Sequence, residues 1–323
     1  MRPVPISVLL AAVLASTGIA QTPPPRAGHV MATAGPSGGV LLVGGQIIDA
    51  TPRVVDTLWL WNGSRWQPLA NDGPQYRTLP AAAFDTRRNV LVVYGGYGVG
   101  SGTKFGDTWE WDGRRWQQRA IVTPGPRDHH AMAYDEARGK MVMFGGTPRI
   151  EPPYPNDTWT YDGTTWTRAD STGPQGSRYH HAMAYDARRQ RVVMFGGFPS
   201  AGQRTNETWE WDGSSWHKAN ITGASPSARS HMRMAYDAAR AVIVMFGGDD
   251  AGETWTWDGI RWTQHTVPGP PARTVSAMAY DSARQRVVIF GGNTRRGVPP
   301  FGYDNDTWEW DGQRWTRMSS PTP

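Results

Sequence analysis

The chain has 323 residues, of which 38% are hydrophobic, with 38 glycines and 26 prolines, a profile that suits many short strands joined by turns better than helices. It contains no cysteine, which excludes disulfides, a thiolate nucleophile and a zinc–cysteine centre. The formal charge of +5 is small for this length and no basic run reaches five residues, so nucleic acid is not an expected partner.

The first twenty residues, MRPVPISVLLAAVLASTGIA, place one positive charge (Arg2) before an apolar run from Ile6 to about Ala15. Small residues then stand at the −3 and −1 positions of a cleavage site, Gly18 and Ala20. The pattern is that of a cleavable Sec-type signal peptide over residues 1–20. The apolar run is too short to span a bilayer core of about 30 Å. A mature chain beginning near Gln21, secreted or periplasmic and without a membrane span, is the expectation. Residues 21–25, QTPPP, read as a short stiff spacer.

From Arg26 onward one unit repeats. Gly44-Gly45, Gly95-Gly96, Gly145-Gly146, Gly196-Gly197, Gly247-Gly248 and Gly291-Gly292 recur about every fifty residues, the last interval being shorter. A second signature keeps step with them: Trp61-Asn62-Gly63 with Trp66, Trp111-Asp112-Gly113 with Trp116, Tyr161-Asp162-Gly163 with Trp166, Trp211-Asp212-Gly213 with Trp216, Trp257-Asp258-Gly259 with Trp262, and Trp310-Asp311-Gly312 with Trp315. All 17 tryptophans fall inside the repeat, enough to supply much of a core.

Each copy predicts four strands, A to D. Strand A, as in Ala131-Met132-Ala133-Tyr134, is narrow and apolar, as a strand at a crowded axis must be. Asp135 can cap the amides of the turn after it. Strand B, Met141 to Phe144, is continuously apolar and so buried on both faces. The glycine pair lets the chain turn where side chains would collide. In strand C, Trp109 and Trp111 share one face and Glu110 takes the other. Asp112-Gly113 would supply the positive-φ residues of a hairpin turn, and Trp116 opens strand D.

A hydrophobic run ending in Gly-Gly, followed by two spaced aromatics, resembles the kelch-repeat family, and the period and signal pattern are similar to its secreted, bacterial-type members. The likeness covers about residues 26–317. It implies an all-β fold: a six-bladed β-propeller of four-stranded antiparallel blades, near 26–72, 77–122, 127–172, 178–222, 229–267 and 273–317, with a tail at 318–323. Arg26 begins an A strand and Trp315 a D strand, so no strand exchange is expected at closure. Copy one departs from the pattern, with Thr33-Ala34 in place of Tyr-Asp and Gly38-Gly39 in place of the arginine-rich turn, so its inner hairpin should be less regular.

Alternating strand direction puts the A–B and C–D turns on one face of such a disc, and the B–C and D–A loops on the other. The second face carries the variable segments Gln46–Val55, Tyr97–Gly106, Thr147–Asn156, Phe198–Asn206, Asp249–Gly252 and Asn293–Asn305. Variable loops on a rigid scaffold are where binding usually sits. They hold Tyr97, Phe105, Tyr154, Phe198, Phe301 and Tyr303, with Lys104, Arg149, Arg204, Arg295 and Arg296, a mixture that suits a glycan or a peptide. Six arginines open the A strands on that face (Arg26, Arg77, Arg127, Arg178, Arg229 and Arg273), and six acids open the C strands (Asp56, Asp107, Asp157, Glu207, Glu253 and Asp306). Either they pair within the blades, or the arginines ring the channel mouth and draw an anion.

The histidines are uneven. His129 and His130, His180 and His181, and His231 follow the A-strand arginines in copies three, four and five, where copy six has Val275 and Ser276 and copy two Leu79 and Pro80. They should form one arc at the channel mouth, which Asp128, Asp249 and Asp250 could join. They are either packing residues or a site that binds a ligand or moves protons near neutral pH. No metal or other cofactor is assigned; His129, His180 and His231 are the side chains a transition metal would use. The candidate binding set is therefore Arg127, His129, His130, Arg178, His180, His181, Arg229 and His231, with Tyr97, Tyr154 and Tyr303.

Some kelch-like propellers are copper-dependent sugar oxidases, but their cofactor needs a cysteine joined to a tyrosine, which this chain cannot make. The Asp-box of sialidase propellers is also absent, since Asp162 directly precedes Gly163. The favoured reading is a secreted binding or scaffold module, monomeric, presenting its loop face to a glycan or to a peptide or protein. The alternatives are a carbohydrate-active enzyme at the channel mouth, such as a sugar-acid epimerase, mutarotase or lyase, and a structural surface protein. No catalytic residue is assigned.

Overall fold

A computed structural model describes residues 22–47, 57–98, 100–148, 154–170, 173–174, 176–199, 202–249, 251–294 and 302–318. The signal-like segment 1–20, Gln21, most of the first variable loop, Asp56, Arg149, Asp250, Arg295, Arg296, Phe301 and the last five residues of the tail lie outside the described residues.

The repeats form six four-stranded antiparallel sheets, each made of one copy of the unit. Blade 1 takes Ala27–Thr33, Val40–Gln46, Leu58–Trp61 and Trp66–Ala70, in sheet order; blade 6 takes Ala277–Asp281, Arg286–Asn293, Tyr303–Trp310 and Trp315–Met318. The A strands of neighbouring blades contact one another, so A lines the axis and D is outermost. Closure uses no exchanged strand. Side chains join the ends instead: the indole N–H of Trp66 donates to Thr307 Oγ1 at 2.9 Å and that of Trp61 to Glu309 Oε1 at 2.7 Å. Among the described residues no helix is long and apolar enough to cross a membrane.

The core is divided among hydrophobic clusters that lie between adjacent blades. Strand B is buried on both faces, as its apolar run requires; in blade 3, Met141, Met143 and Phe144 are wholly inaccessible. D-strand tryptophans tie each blade to the one before, with Trp216 donating to Thr158 Oγ1 at 2.8 Å and Trp262 to Thr208 Oγ1 at 3.0 Å. In blade 1, Leu58 replaces that threonine, and the Trp116 indole N–H is buried without a partner among the described residues.

The arginines that open the A strands are buried. Arg127 donates to Gly145 O at 3.0 Å and to Asp157 Oδ1 at 2.9 Å, and Trp159 shares that carboxylate at 2.7 Å. Arg77 with Asp107, Arg178 with Glu207, Arg229 with Glu253 and Arg273 with Asp306 repeat the pair. Each pair staples strand A to strand C beside the glycine turn, where burial makes a charge-assisted bond strong. The turn itself demands glycine. Gly196 and Gly197 take φ +66° and +85°, and a Cβ would come within 2.6 Å of Arg229 O and 2.7 Å of Tyr179 O.

Two turn readings are resolved. The blade 1 inner hairpin is irregular, with a short 3-10 turn over Gly35–Ser37. The C–D turn differs from the expected two-residue hairpin: Trp111 pairs with Trp116 across four loop residues, and only the glycine has positive φ. Asp112 acts through its side chain, Oδ1 accepting from the amides of Arg114 and Arg115, both at 2.9 Å.

Candidate functional site

One residue per blade turns sharply at the start of strand A, two positions after the opening arginine: Gly28, Leu79, His129, His180, His231 and Val275. All take positive φ, from 48° at Val275 to 69° at Gly28. For non-glycine residues this conformation costs roughly 1–2 kcal/mol. A collar of backbone hydrogen bonds enforces it: Leu79 N to Gly28 O at 2.6 Å, Gly28 N to Val275 O at 2.8 Å, His231 N to His180 O at 3.0 Å and His180 N to His129 O at 3.1 Å. The collar is common to the fold, whereas its side chains are not. Three consecutive blades contribute imidazoles, and the other three contribute glycine, leucine and valine.

The three imidazoles touch. Ring centroids are 3.8 Å apart for His129 and His180, and 3.7 Å for His180 and His231. His129 Nδ1 lies 2.9 Å from Asp128 Oδ1, which also accepts from Lys104 Nζ at 2.9 Å and from the Thr147 hydroxyl. Burial raises the Asp128 pKa, but these bonds and the proximity of His129 outweigh it and hold the carboxyl well below its usual range. Ser230 Oγ donates to Asp249 Oδ1 at 2.9 Å and lies 2.8 Å from His231 Nδ1. Its one proton being spent on Asp249, it accepts from His231 Nδ1–H, which leaves Nε2 of a neutral ring as an acceptor. Burial, then the charges of His129 and Arg233, lowers His231 to about 3. Burial with the neighbouring histidines and Arg233 drives His180 well below 6.5. Both are neutral at pH 7.

The second histidine of each doublet does something else. His130 packs edge-on against Tyr94 of the preceding blade at 5.5 Å, and His181 against Phe144 at 5.7 Å. They are 6% and 3% exposed, and burial, with the nearby Arg127 or Arg178, lowers each to about 3. His29 takes the same place in blade 1, its Nε2 3.0 Å from Phe290 O. The doubling thus splits into an axial residue and an inter-blade packing residue.

Behind the arc is a chamber of about 120 Å³, lined by five of the six axial residues (all but Val275), by His29, His130 and His181, and by the first residues of the A strands. A wider funnel of about 880 Å³ opens on the opposite face. Met31, Ala82, Met132, Met183, Met234 and Met278 line both, and so form the constriction between them. One lining residue of the chamber breaks the repeat. Arg233 stands where the other blades have Val30, Ala81, Ala131, Ala182 and Ala277.

On the outer side an aromatic file leads to the arc. Tyr154 meets Tyr179 edge-on at 5.3 Å, Tyr179 stacks on Phe198 at 5.2 Å, and His180 lies 5.1 Å from Tyr179. Arg204 sits over Phe198 at 5.5 Å and pairs with Asp249 at 3.1 Å.

Of the residues expected at the site, the structure brings together His129, His180, His231, Asp128, Asp249 and Tyr154. Arg127, Arg178 and Arg229 are instead held in the buried inter-strand pairs, while His130 and His181 pack between blades and also reach the chamber wall. Tyr97 and Tyr303 extend strands of blades 2 and 6, paired with Lys104 and Asn293. Among the described residues no group of three or more His, Asp or Glu is placed so that it could hold a metal ion. Sequence reading missed His29, Tyr179 and Arg233. Arg233 was visible in principle, as the sole charge in a column of alanines and one valine once the copies are aligned on Tyr-Asp.

A family model described as the KLHDC2/KLHL20/DRC7 Kelch-repeats domain matches residues 139–258. The solved structure titled "Structure of YjhT" superposes with a TM-score of 0.70 at 15% identity, covering 92% of this chain and 99% of that one, a likeness in fold. No curated protein matches in sequence.

Proposed function

The chain is a six-bladed propeller of the kelch type, and from that premise we propose that it is a binding module whose ligand sits on the B–C/D–A loop face, over the channel mouth. One observation carries the reading: six-fold equivalence is broken at the axis on this face, where three imidazoles form an arc continuous with the Tyr154–Tyr179–Phe198 file. Aromatic faces beside imidazole acceptors suit a glycan or an exposed peptide segment. The same reading has the protein exported, its first twenty residues removed, and acting as a monomer.

The test is a glycan array and a peptide array probed with the full mature chain and with the His129→Ala/His180→Ala/His231→Ala variant, hits being measured by calorimetry. Binding by the wild type, abolished in the variant while circular dichroism stays native, is the expected result. Hits that bind the variant as tightly as the wild type would place the site elsewhere.

The enzymatic alternative has one observation in its favour. The Asp128 carboxylate orients His129 beside the chamber, as a carboxylate orients an imidazole general base. Turnover of a sugar acid by the pure protein, lost on His129→Ala, would select it over simple binding.

A further inference from the structure

We propose that the chamber behind the histidine arc is a site for the carboxylate of a small, largely apolar acid, anchored by Arg233. The proposal rests on reading the channel as the binding site and adds the chemical class of what enters it.

Arg233 is the first residue of strand A in blade 5, Arg233–Asp237. Its register partner is Phe246, the position that Ala131, Ala182 and Ala277 hold against Phe144, Phe195 and Phe290. The fold therefore does not need an arginine there. The side chain crosses to the next blade: Nε donates to Ser276 O, and Nη1 to Met232 O at 3.2 Å. These two carbonyls fix the plane of the guanidinium. They use two of its five N–H groups and leave three, including both on Nη2, without a partner among the described residues. No carboxylate pairs with it among the described residues, in contrast to the five buried A-strand arginines that have one. Burial lowers its pKa only to about 10, so it is cationic at neutral pH.

A fixed guanidinium on the chamber wall, with no carboxylate of the described residues beside it, favours one negative charge there. Its remaining N–H groups favour the parallel two-point contact that a carboxylate makes. The other walls decide the rest of the ligand. Val30, Ala81, Met31 and Met278 offer apolar surface, His180 and His231 are neutral, and His29, His130 and His181 also reach the wall, each with a ring nitrogen that has no partner among the described residues. A phosphate dianion would bring a second negative charge, and no lysine or second arginine lines the chamber to meet it. About 120 Å³ accommodates a body of a few carbon atoms.

The experiment uses the full mature chain at pH 7 with propionate as probe, followed by calorimetry, with propionamide and inorganic phosphate as comparisons. Arg233→Ala gives the residue that four other blades already carry, so the variant should keep the wild-type circular dichroism. We expect propionate to bind saturably at one site, propionamide and phosphate not to bind, and Arg233→Ala to weaken propionate about 10- to 100-fold, the range for a hydrogen bond to a charged group. Arg233→Lys, which keeps the charge and loses the fork, should fall between. No saturable propionate binding, equal affinity for phosphate, or an unchanged affinity in Arg233→Ala overturns the proposal. If Arg233→Ala is silent while the triple histidine variant still loses the array ligands, the carboxylate site falls and the channel-mouth reading stands. If the triple variant is silent and Arg233→Ala is not, the reverse holds.

Discussion

Trp211→Ala is expected to destabilise the propeller by about 3–5 kcal/mol, the range for removing a large aromatic from a core. Trp211 is 1% exposed and belongs to the cluster between blades 3 and 4, with Phe144, Met183, Met194 and Trp216. It pairs in register with Trp216 across the C–D turn, the rings tilted at 5.6 Å. Alanine would withdraw an indole from both a blade and its interface with the preceding one, and a β-scaffold stapled at the glycine turns cannot collapse to fill the gap. Trp211→Tyr separates the loss of volume from other effects. Blade 3 carries Tyr161 at the equivalent place, 1% exposed, so the milder change should cost well under half as much. Denaturant midpoints followed by circular dichroism decide it. A midpoint for Trp211→Ala equal to wild type would remove this ring from the load of the core.

The repeat, the strand directions, the two faces and the closure without exchange were legible because each depends on local signals. A glycine pair marks where backbones would collide, alternation marks which residues share a face, and the count of strands gives direction. The axial arc was legible for the same reason, since a residue's place along strand A fixes its height in the channel. What the sequence does not carry is azimuth at that height. His129 and His130 are neighbours in sequence, yet one faces the axis and the other the preceding blade, because the first adopts positive φ. Nothing in Leu79 or Val275, poor residues for that conformation, announces it. Backbone bonds between neighbouring blades support it, and those bonds form only when the blades pack side by side. The arginines that open strand A follow the first of the two readings, pairing within the blades, for a related reason. Their position reads as a channel mouth, but their length lets them reach the glycine carbonyl and the C-strand acid, which buries them. His29 was hidden by the irregularity of copy one, and Arg233 by lying between two methionines in a strand otherwise read as apolar.

Lowering the pH is expected to unfold the propeller in a window that opens near 6.5, and the packing histidines should set where. His130 and His181 ionise near 3 in the fold, against an ordinary value of 6.5, chiefly through burial. Both are neutral when folded. Below 6.5 the unfolded chain takes up protons that the native state refuses until about 3, so their contribution is full above 6.5 and is lost as pH falls through that interval. At pH 4 the loss is on the order of 3 kcal/mol for each, a large fraction of the stability of an ordinary domain. His29, His180 and His231 act in the same direction. The buried carboxylates act in a different window. Asp107, Asp157 and Asp306 are raised by burial and lowered further by the hydrogen bonds and charge of their arginines, with a net fall below 3.8, so their contribution persists until the pH drops beneath that value. Glu207 and Glu253 are likewise lowered, from 4.5, and begin to act near that pH, so loss between 6.5 and 5 belongs to the histidines. Blade 5 shows what can replace them: Met232 occupies the same position, wholly buried. His130→Met/His181→Met should keep the inter-blade packing, since a thioether packs well on an aromatic edge, and should move the acid midpoint down by about half a pH unit or more. Circular dichroism against pH measures it, and a midpoint identical to wild type would mean that these two imidazoles are already protonated, or already hydrated, in the folded protein.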